Sequence, residues 1–326
     1  MQDISHGEPK IISFSASVIV LLMSVSKISI AVIILTYNQE TLVSQAIESA
    51  IKQVADAEIR IYVIDDASTD QTRRVINSYE NEYPGKVYSF FHKANQYQNG
   101  LPPEFPILRN IDATYFAFCD GDDYWISPLK LQKQLQVFSS HPNATIVHTG
   151  YFLGSGPSSQ GKVQNLQSRT LKEVQKSKAM RSSFDFIQGN DVKKSTVLVK
   201  KSAIDFRLLE RCHGIRAQDW LLCISASQRG EVKYIEEELA VYRINSSASF
   251  QGLSQSERTE IKNEIRWFCA IFLPEGQLKR AFRIFLLREF GRSIVATSTP
   301  YTLLRPYVNI ARRIFSKIKP FMRIYR

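Results

Sequence analysis

The chain has 326 residues, 44% hydrophobic and 22% charged, which suffices for a substantial core and excludes an intrinsically disordered protein. The net charge of +11 lies almost entirely in residues 251–326, which hold 15 Lys and Arg against 5 Asp and Glu. The rest of the chain is near neutral, which argues against the basic face that nucleic-acid binding usually requires. The four cysteines form no CxxC pair, so the sequence indicates free thiols in a reducing, cytoplasmic compartment.

The first residues form an apolar, serine-rich run at 11–26, between Lys10 and Lys27. This run is short for a membrane span, and the nearby Asp3 and Glu8 are atypical of a signal peptide. We therefore expect residues 1–27 to be an N-terminal extension outside the fold, with translation starting at Met23. A weak membrane anchor is the alternative.

Strands and helices alternate through the first half of the sequence. Apolar, β-branched runs typical of buried parallel strands occur at residues 28–35, 59–64, 87–91, 115–119 and 145–149. Apolar residues recur at helical spacing over 42–54 and again after Ser68, and Ser127 and Pro128 are suited to begin a helix that runs to 138. This alternation with short connections predicts an α/β open sheet with right-handed crossovers.

The second half has fewer clear strands and ends in helices. Residues 154–167 are rich in Gly, Ser and Gln and predict a loop, and the segments 196–199, 217–228 and 231–242 follow it. Helices are then predicted at residues 256–272, 277–297 and 303–322. Seven Lys and Arg and no acid lie between residues 305 and 326, so this basic tail favours contact with an anionic membrane surface over simple packing on the domain.

Polar and acidic residues follow three of the predicted strands. They are Thr36, Tyr37 and Asn38 after the first, Asp65 and Asp66 after the second, and Asp120, Asp122 and Asp123 after the fourth. Because ligands bind at the carboxyl ends of strands in open parallel sheets, we expect these groups in one crevice. Bunched carboxylates stay ionised together only beside a cation or strong donors, which indicates a divalent metal that bridges to a diphosphate. The first acid pair alone is equally compatible with a turn and a helix cap.

Four stretches resemble the family 2 glycosyltransferases, in that family's order and intervals. They are VIILTYNQE at 32–40, VIDDASTDQT at 63–72, FCDGDDYWISPLKLQKQL at 118–135 and QDWLLCISASQRGEVKYIEEELAVYR at 218–243. The third is similar to bacterial members that make surface polysaccharides. The resemblance covers about residues 28–250 and implies a GT-A fold, an α/β Rossmann-like mixed sheet flanked by helices. The implied organisation is a nucleotide-binding half at 28–150, an acceptor half at 151–250 and a basic helical C-terminal region at 251–326.

The resemblance implies a role for each matched residue. On the nucleotide side Asp66 contacts the base, Thr36 and Asn38 line the same pocket, and Asp120 contacts the ribose or the hydration shell of the metal. The implied metal ligand is Asp122, with Mg²⁺ or Mn²⁺ as the cofactor. Asp219 is the implied general base, for which the position alone also allows a helix cap. The implied sugar or acceptor pocket contains Asp123, Trp125, Trp220 and Arg243.

The implied reaction transfers a sugar from a nucleotide-diphosphate donor, a UDP-sugar in the first instance, to a glycan or lipid-linked acceptor. The metal neutralises the leaving diphosphate, Asp219 removes the proton of the acceptor hydroxyl, and one displacement inverts the anomeric carbon. The expected location is the cytoplasm, peripheral at the inner face of the cell membrane.

The sequence departs from the family pattern at three places. Asn245 stands where a His is common, Gln218 replaces the usual acid before the base, and residues 96–106 contain three prolines. Two other functions stay open. A sugar-nucleotide pyrophosphorylase needs a Gly-rich basic loop where residues 36–40 read TYNQE, and a non-catalytic nucleotide-binding or scaffold protein needs no second acid cluster.

Overall fold

The computed structural model describes residues 28–155, 167–169, 182–244 and 253–296. The described strands are β1 (Ser29–Thr36), β2 (Glu58–Asp65), β3 (Val87–Phe91), β4 (Tyr115–Asp120), β5 (Tyr124–Trp125), β6 (Ala144–Ser155), β7 (Gln167–Arg169), β8 (Leu198–Lys200) and β9 (Glu231–Ile244). All nine belong to one sheet in the order β3-β2-β1-β4-β8-β6-β9-β5, and β7 pairs with β6. The five predicted strands of the first half are confirmed as strands: β1, β2 and β4 are central and buried, β3 lies at one edge, and β6 continues to Ser155, beyond its predicted end and into the predicted loop.

The half of the sheet formed by β3, β2, β1 and β4 is parallel. Its register places Thr36 opposite Asp65 and Leu35 opposite Asp120. The polar groups that follow β1, β2 and β4 therefore emerge side by side at one edge of the sheet, as the sequence predicts.

The other half of the sheet is mixed. It brings the second part of the chain to the edge at which β1, β2 and β4 end. β8 runs antiparallel to β4 and to β6, while the long β9 runs parallel to β6. The two-residue β5 leaves the acidic loop after β4 and pairs antiparallel with β9 through Tyr124 and Val241. This short strand, which no sequence pattern indicated, attaches the acidic loop to the far half of the sheet.

Helices cover both faces of the sheet and enclose two apolar clusters. The described helices are α1 (Val43–Ile51), α2 (Thr72–Glu82), α3 (Phe105–Leu108), α4 (Lys130–Ser140), α5 (Phe206–Glu210), α6 (Gln218–Ser227), α7 (Gln255–Phe272) and α8 (Gln277–Ala296). Short 3-10 turns span Asp185–Ile187, Lys194–Thr196 and Lys201–Ala203. A capping box at Ser254 and Glu257 begins α7, and Ile265, Phe268 and Phe282 pack the α7–α8 pair onto the larger cluster.

One predicted helix start is wrong. α4 begins at Lys130, two residues after the predicted start, although the Ser127 hydroxyl accepts from the Leu129 amide as a predicted N-cap would; the Ser127 carbonyl accepts from the Lys130 amide at 3.3 Å, which closes a tight turn. Residues 127–129 are thereby held in a turn ahead of the helix. The predicted N-terminal extension, the helix at 303–322 and Asn245 lie outside the described residues. Within the described ranges, no helix has the length and apolarity that crossing a membrane requires.

Candidate active site

The loop after β1 is joined to the loop after β2 by Asn38. Its φ of 50° turns the chain, and Asn adopts this left-handed conformation more readily than most residues. The Asn38 amide then donates to Ser68 Oγ at 2.8 Å, and Asn38 Oδ1 accepts from the Thr69 amide at 2.8 Å. Asn38 is exposed at this junction, whereas Thr36 is 2% exposed and donates to Gln39 Oε1. Thr36 and Asn38, the two residues predicted to line the nucleotide pocket, thus fix the shape of the loops after β1 and β2.

Both acids after β2 are buried and have strong hydrogen-bond donors. Asp65 pairs with Arg73, whose Nε lies 2.7 Å from Asp65 Oδ2. Asp66 accepts from the backbone amides of Gln96 at 2.7 Å and Tyr97 at 3.0 Å. Two amide donors hold a carboxylate firmly. Asp66, the residue predicted to contact the base, therefore fixes the 95–97 loop against the sheet.

Two exposed aromatic side chains flank Asp66. Tyr37 is 38% exposed and follows Thr36, whose carbonyl accepts from the Asp66 amide at 2.9 Å. Tyr97 is 44% exposed and donates its own amide to Asp66. Exposed rings held on fixed backbone are suitable platforms for a planar base. Sequence reasoning missed Tyr97, since only the fold brings residues 95–97 to Asp66.

The acidic loop after β4 packs tightly against β1. The Gly121 amide donates to the Leu35 carbonyl at 2.8 Å. A Cβ on Gly121 would lie 2.7 Å from Thr36 Cβ, so only glycine fits this approach. Asp120 and Asp122 flank the glycine and remain partly accessible, with about one third (32%) of the Asp120 side chain exposed. The structure thus brings these two acids to the crevice formed by the β1 and β2 loops.

Asp123 and Arg243 hold the acidic loop in place. Asp123 is fully buried, accepting from the Ser195 hydroxyl and from the Arg243 amide at 2.9 Å. Burial, together with the charges of Asp122 and Asp120, raises the pKa of Asp123 well above its usual range. The Arg243 guanidinium donates to the Asp122 carbonyl and is 3% exposed. We therefore correct the assignment of Asp123 and Arg243 to a sugar pocket: the geometry makes both supports of the loop.

The two tryptophans predicted to shape the sugar pocket lie in the core. Trp125 is 4% exposed and donates from Nε1 to the Ser195 carbonyl, while the Lys130 ammonium lies 4.3 Å from its ring centre. Trp220 is 3% exposed and donates from Nε1 to the Phe186 carbonyl. Buried indole N–H groups usually find such partners. Both residues therefore act behind the crevice, which corrects their assignment to its lining.

Asp219 occupies the first turn of α6. Ala217 precedes it at the N-cap position with a φ of 56°, so Asp219 is not itself the N-cap, but it is an acid in the first turn and accepts from the Trp220 amide, as the helix-cap alternative expects. Asp219 Oδ2 accepts from Asn190 Nδ2 at 3.2 Å. Burial raises the pKa of Asp219, and the charges of Lys193 and Lys194 oppose this rise. A carboxylate with a raised pKa is a stronger base, so its setting suits proton abstraction.

Lys194 connects the acidic loop with the Asp219 side of the crevice. Its ammonium lies 2.6 Å from Glu104 Oε1 and 3.6 Å from Asp120 Oδ1, and its charge acts on Asp219. Burial raises the pKa of Asp120 to about 6, although Lys194 opposes the shift. The carboxylates in turn raise the pKa of Lys194 despite its burial. No motif marks Lys194 or Glu104, and sequence reasoning missed both.

The accessible acids fit a hard divalent ion held jointly with a phosphate ligand. In the described part of the chain, no group of three or more His, Cys, Asp or Glu side chains is arranged to hold a metal. Mg²⁺ commonly takes only one or two carboxylates, together with phosphate oxygens and water. Asp120 and Asp122 on one short loop match that requirement, whereas the buried Asp123 does not.

The fold and this crevice define the class of the protein. A parallel half-sheet that ends in acidic loops, continued by a mixed half that carries a further acid, is the GT-A arrangement. Two solved structures share it: TarS of Staphylococcus aureus with UDP-GlcNAc, and the mannosyltransferase PcManGT of Pyrobaculum calidifontis with GDP-Man and Mn²⁺. TarS aligns with a TM-score of 0.57, 18% identity and 89% and 82% of the two chains covered. PcManGT aligns with a TM-score of 0.52, 15% identity and 88% and 81% covered.

The family follows from the sequence comparison. The profile of the family described as Glycosyl transferase family 2 matches residues 31–198, and the chain belongs to this family. An uncharacterized protein of Mycobacterium tuberculosis is 28% identical over 215 residues, which is 65% of this chain and 58% of that relative. TarS, a poly(ribitol-phosphate) beta-N-acetylglucosaminyltransferase, is 33% identical over 95 residues, or 29% of this chain and 16% of TarS. The chain thus spans little more than half the length of the mycobacterial relative.

Proposed function

We propose that this chain is an inverting glycosyltransferase that moves a sugar from a nucleotide-diphosphate donor to an acceptor hydroxyl, in the synthesis of a bacterial surface polysaccharide or lipopolysaccharide. The observation that carries the proposal is that Lys194 joins the acidic loop to the Asp219 side of one crevice, since its ammonium lies 3.6 Å from Asp120 and its charge acts on Asp219. Donor and acceptor groups would thus meet in a single pocket. The surface-glycan activity in the name of TarS, and the nucleotide sugars bound by the two structural neighbours, support this reading.

On the donor side, we assign the nucleotide to residues 28–150. Tyr37 and Tyr97 would stack on the base, because both rings are exposed on segments that Asp66 holds. Asp120 and Asp122 would hold a divalent ion, Mg²⁺ or Mn²⁺. That ion would supply neutralisation of the charge that builds on the leaving diphosphate.

On the acceptor side, we assign the acceptor to residues 151–250, with Asp219 as the general base. Asn190 fixes the orientation of Asp219 Oδ2, and burial raises the pKa of this carboxyl. Asp219 would take the proton from the acceptor hydroxyl while the hydroxyl oxygen bonds to the anomeric carbon and the carbon–diphosphate bond breaks. One displacement of this kind inverts the anomeric configuration without a covalent enzyme intermediate.

A thermal-shift screen with UDP-, GDP-, dTDP- and CMP-sugars, with and without Mn²⁺, tests the donor assignment, because a ligand of the folded state raises its melting temperature. We expect one nucleotide class to stabilise the protein only with Mn²⁺. Asp122→Ala should lose this shift, whereas Asp219→Asn should keep it and lose sugar transfer. Asp112→Asn, at an exposed position outside the crevice, is the matched control. Binding of no nucleotide by the folded protein would favour a scaffold, and full transfer by Asp219→Asn would refute the base.

We also propose that the protein lies on an anionic membrane surface, where a lipid-linked acceptor would be reached. Exposed apolar and basic residues lie on α8 and at the end of α7, here called the α8 patch: Ile271 of α7, and Arg280, Arg283, Ile284, Leu287 and Arg288 of α8. Leu287 is 69% exposed, and Arg283 Nε donates to the Ala270 carbonyl, so the two helices share the patch. From residue 290 onward the sequence holds eight Lys and Arg and no acid. Each basic residue near anionic lipid contributes about 1 kcal/mol.

Co-sedimentation with vesicles tests this membrane assignment. We expect the full chain to bind phosphatidylglycerol-containing vesicles and not pure phosphatidylcholine vesicles. The double variant Ile284→Ser/Leu287→Ser should weaken binding, whereas Val54→Ser, at a position that is 63% exposed elsewhere on the surface, should not. Equal binding by both variants would refute the role of the α8 patch.

A further inference from the structure

Lys194 is a largely buried cation in the crevice, and its side chain is not needed to hold the turn on which it lies. It begins the 3-10 turn Lys194–Thr196, which Ser195 and Thr196 already secure. The Ser195 hydroxyl bonds Asp123, the Ser195 carbonyl accepts from Trp125 Nε1, and the Thr196 carbonyl accepts from Gln134 Nε2 at 2.9 Å. The turn is therefore fixed to the acidic loop and to α4 without any contact from the Lys194 side chain.

The partner of Lys194 is also incompletely satisfied. The Glu104 side chain is 4% exposed, and its Oε1 accepts from Lys194 Nζ at 2.6 Å. Among the described residues, its Oε2 has no hydrogen-bond partner. Burying an ion pair costs desolvation energy, which good geometry and further hydrogen bonds are needed to offset. The pair is therefore only partly offset by hydrogen bonds, and the contact at 2.6 Å fixes the position of the ammonium.

The direction in which Lys194 is oriented follows from its remaining neighbours. Its ammonium carries three N–H groups. Glu104 is its one hydrogen-bond acceptor within the described ranges, because Asp120 Oδ1 at 3.6 Å is an ion-pair contact only. The side chain is 11% exposed, its ammonium lies 3.6 Å from the donor-side acid Asp120, and the charge of the candidate base Asp219 acts on it. In the proposed reaction, the transferred sugar lies between those two acids.

We infer that Lys194 is a sugar-recognition residue, whose ammonium donates a hydrogen bond to a ring hydroxyl oxygen of the transferred sugar while Glu104 positions it. This inference rests on the proposed function, since it concerns the sugar subsite of that donor. An ammonium suits this task because it is a donor only, and a hydroxyl oxygen is an acceptor. Lys194 would therefore distinguish a nucleotide sugar from the same nucleotide without its sugar.

The test compares binding of a nucleoside diphosphate with binding of its sugar form. The probes are UDP with UDP-GlcNAc and GDP with GDP-mannose, titrated calorimetrically with Mn²⁺, using the pair that binds the wild-type chain. Lys194→Met should weaken binding of the sugar form about 10- to 100-fold more than binding of the diphosphate, as expected for loss of a charge-assisted hydrogen bond to the sugar. Lys201→Met is the matched control, because Lys194 lies over the Phe118 ring of β4 and Lys201 over its Phe116 ring, while Lys201 donates to the Ile111 carbonyl instead of an acid.

Lys194→Met leaves Glu104 buried without its cation, so a double variant separates folding from recognition. Lys194→Met/Glu104→Gln removes both charges, and it should fold and still fail to prefer the sugar form. Glu104→Gln alone should weaken binding of the sugar form by less than Lys194→Met does. Recovery of the sugar preference in the double variant, or equal loss of both ligands in Lys194→Met, would overturn the inference. A wild-type chain that binds no UDP-, GDP-, dTDP- or CMP-sugar would instead refute the proposed function itself, and the inference with it.

Discussion

The contact between the acidic loop and β1 makes Gly121→Ala a sharp test of the site architecture. The new Cβ would lie 2.3 Å from Gln39 Oε1, 2.7 Å from Thr36 Cβ and 2.8 Å from Thr36 Oγ1, all closer than real Cβ contacts. Gln39 can swing aside, at the loss of the hydrogen bond from Thr36, about 1 kcal/mol. Thr36 is 2% exposed at the end of a central strand and has no room to move.

The loop itself must therefore shift, which strains the hydrogen bond from the Gly121 amide to the Leu35 carbonyl. Over-packing costs about 1–3 kcal/mol, so with the lost hydrogen bond we expect destabilisation of about 2–4 kcal/mol. Because Asp120 and Asp122 flank the glycine, nucleotide binding should also be lost. Urea unfolding and the Mn²⁺-dependent thermal shift measure the two effects. Gly276→Ala is the control, since its Cβ meets nothing within 4 Å. Wild-type stability and nucleotide binding in Gly121→Ala would refute the reasoning.

Three further predictions concern the charges around the crevice. Burial raises the pKa of Asp120 to about 6, so without metal this group favours the folded state most at low pH, and its contribution is lost as pH rises from about 4 to about 6. As the pH rises across that window, the free energy of unfolding of Asp120→Asn should therefore increase by about 1–3 kcal/mol relative to that of the wild type. Urea unfolding with chelator present measures this, and a difference between the two proteins that does not change with pH would contradict it. Lys193→Met should move the acidic limb of the pH–rate profile to higher pH, because Lys193 opposes the raised pKa of Asp219, and a shift to lower pH would exclude this role. Arg243→Met should lower the melting temperature and weaken the Mn²⁺-dependent nucleotide shift, because the Asp122 carbonyl loses its donor; unchanged binding would assign Arg243 to stability alone.

The parallel half of the sheet could be predicted from the sequence because it depends on a local pattern. A strand buried on both faces must be apolar along its whole length, and the predicted runs at 59–64 and 115–119 differ from β2 and β4 by no more than one residue at either end. Since parallel strands end at the same edge, placing the acids in one crevice needed no tertiary information. The predicted bounds of α7 and α8 likewise differ from the observed bounds by no more than one residue at either end.

The supports of the site could not be predicted, because they depend on long-range pairing. The two-residue β5 has no periodicity of its own, yet its pairing with β9 buries Trp125 and brings Arg243 under the acidic loop. A sequence pattern identifies a conspicuous acid or tryptophan but not whether it faces solvent. Asp123 illustrates the difficulty: it adjoins two accessible acids, and only contacts with Ser195 and Arg243, distant in the chain, make it structural.

Backbone strain indicates how the crevice obtains its shape. Among the described residues, the non-glycine residues with positive φ are Asn38, Ala67 and Ala217. Each lies in a loop at the crevice: after β1, after β2 and immediately before the turn that carries Asp219. An alanine in this conformation costs about 1–2 kcal/mol, so local preference opposes two of these turns. The surrounding contacts must impose them, as with the hydrogen bonds that tie Asn38 to Ser68 and Thr69. The positions of the acids are therefore a property of the whole fold, which explains why the residues behind the crevice matter as much as those lining it.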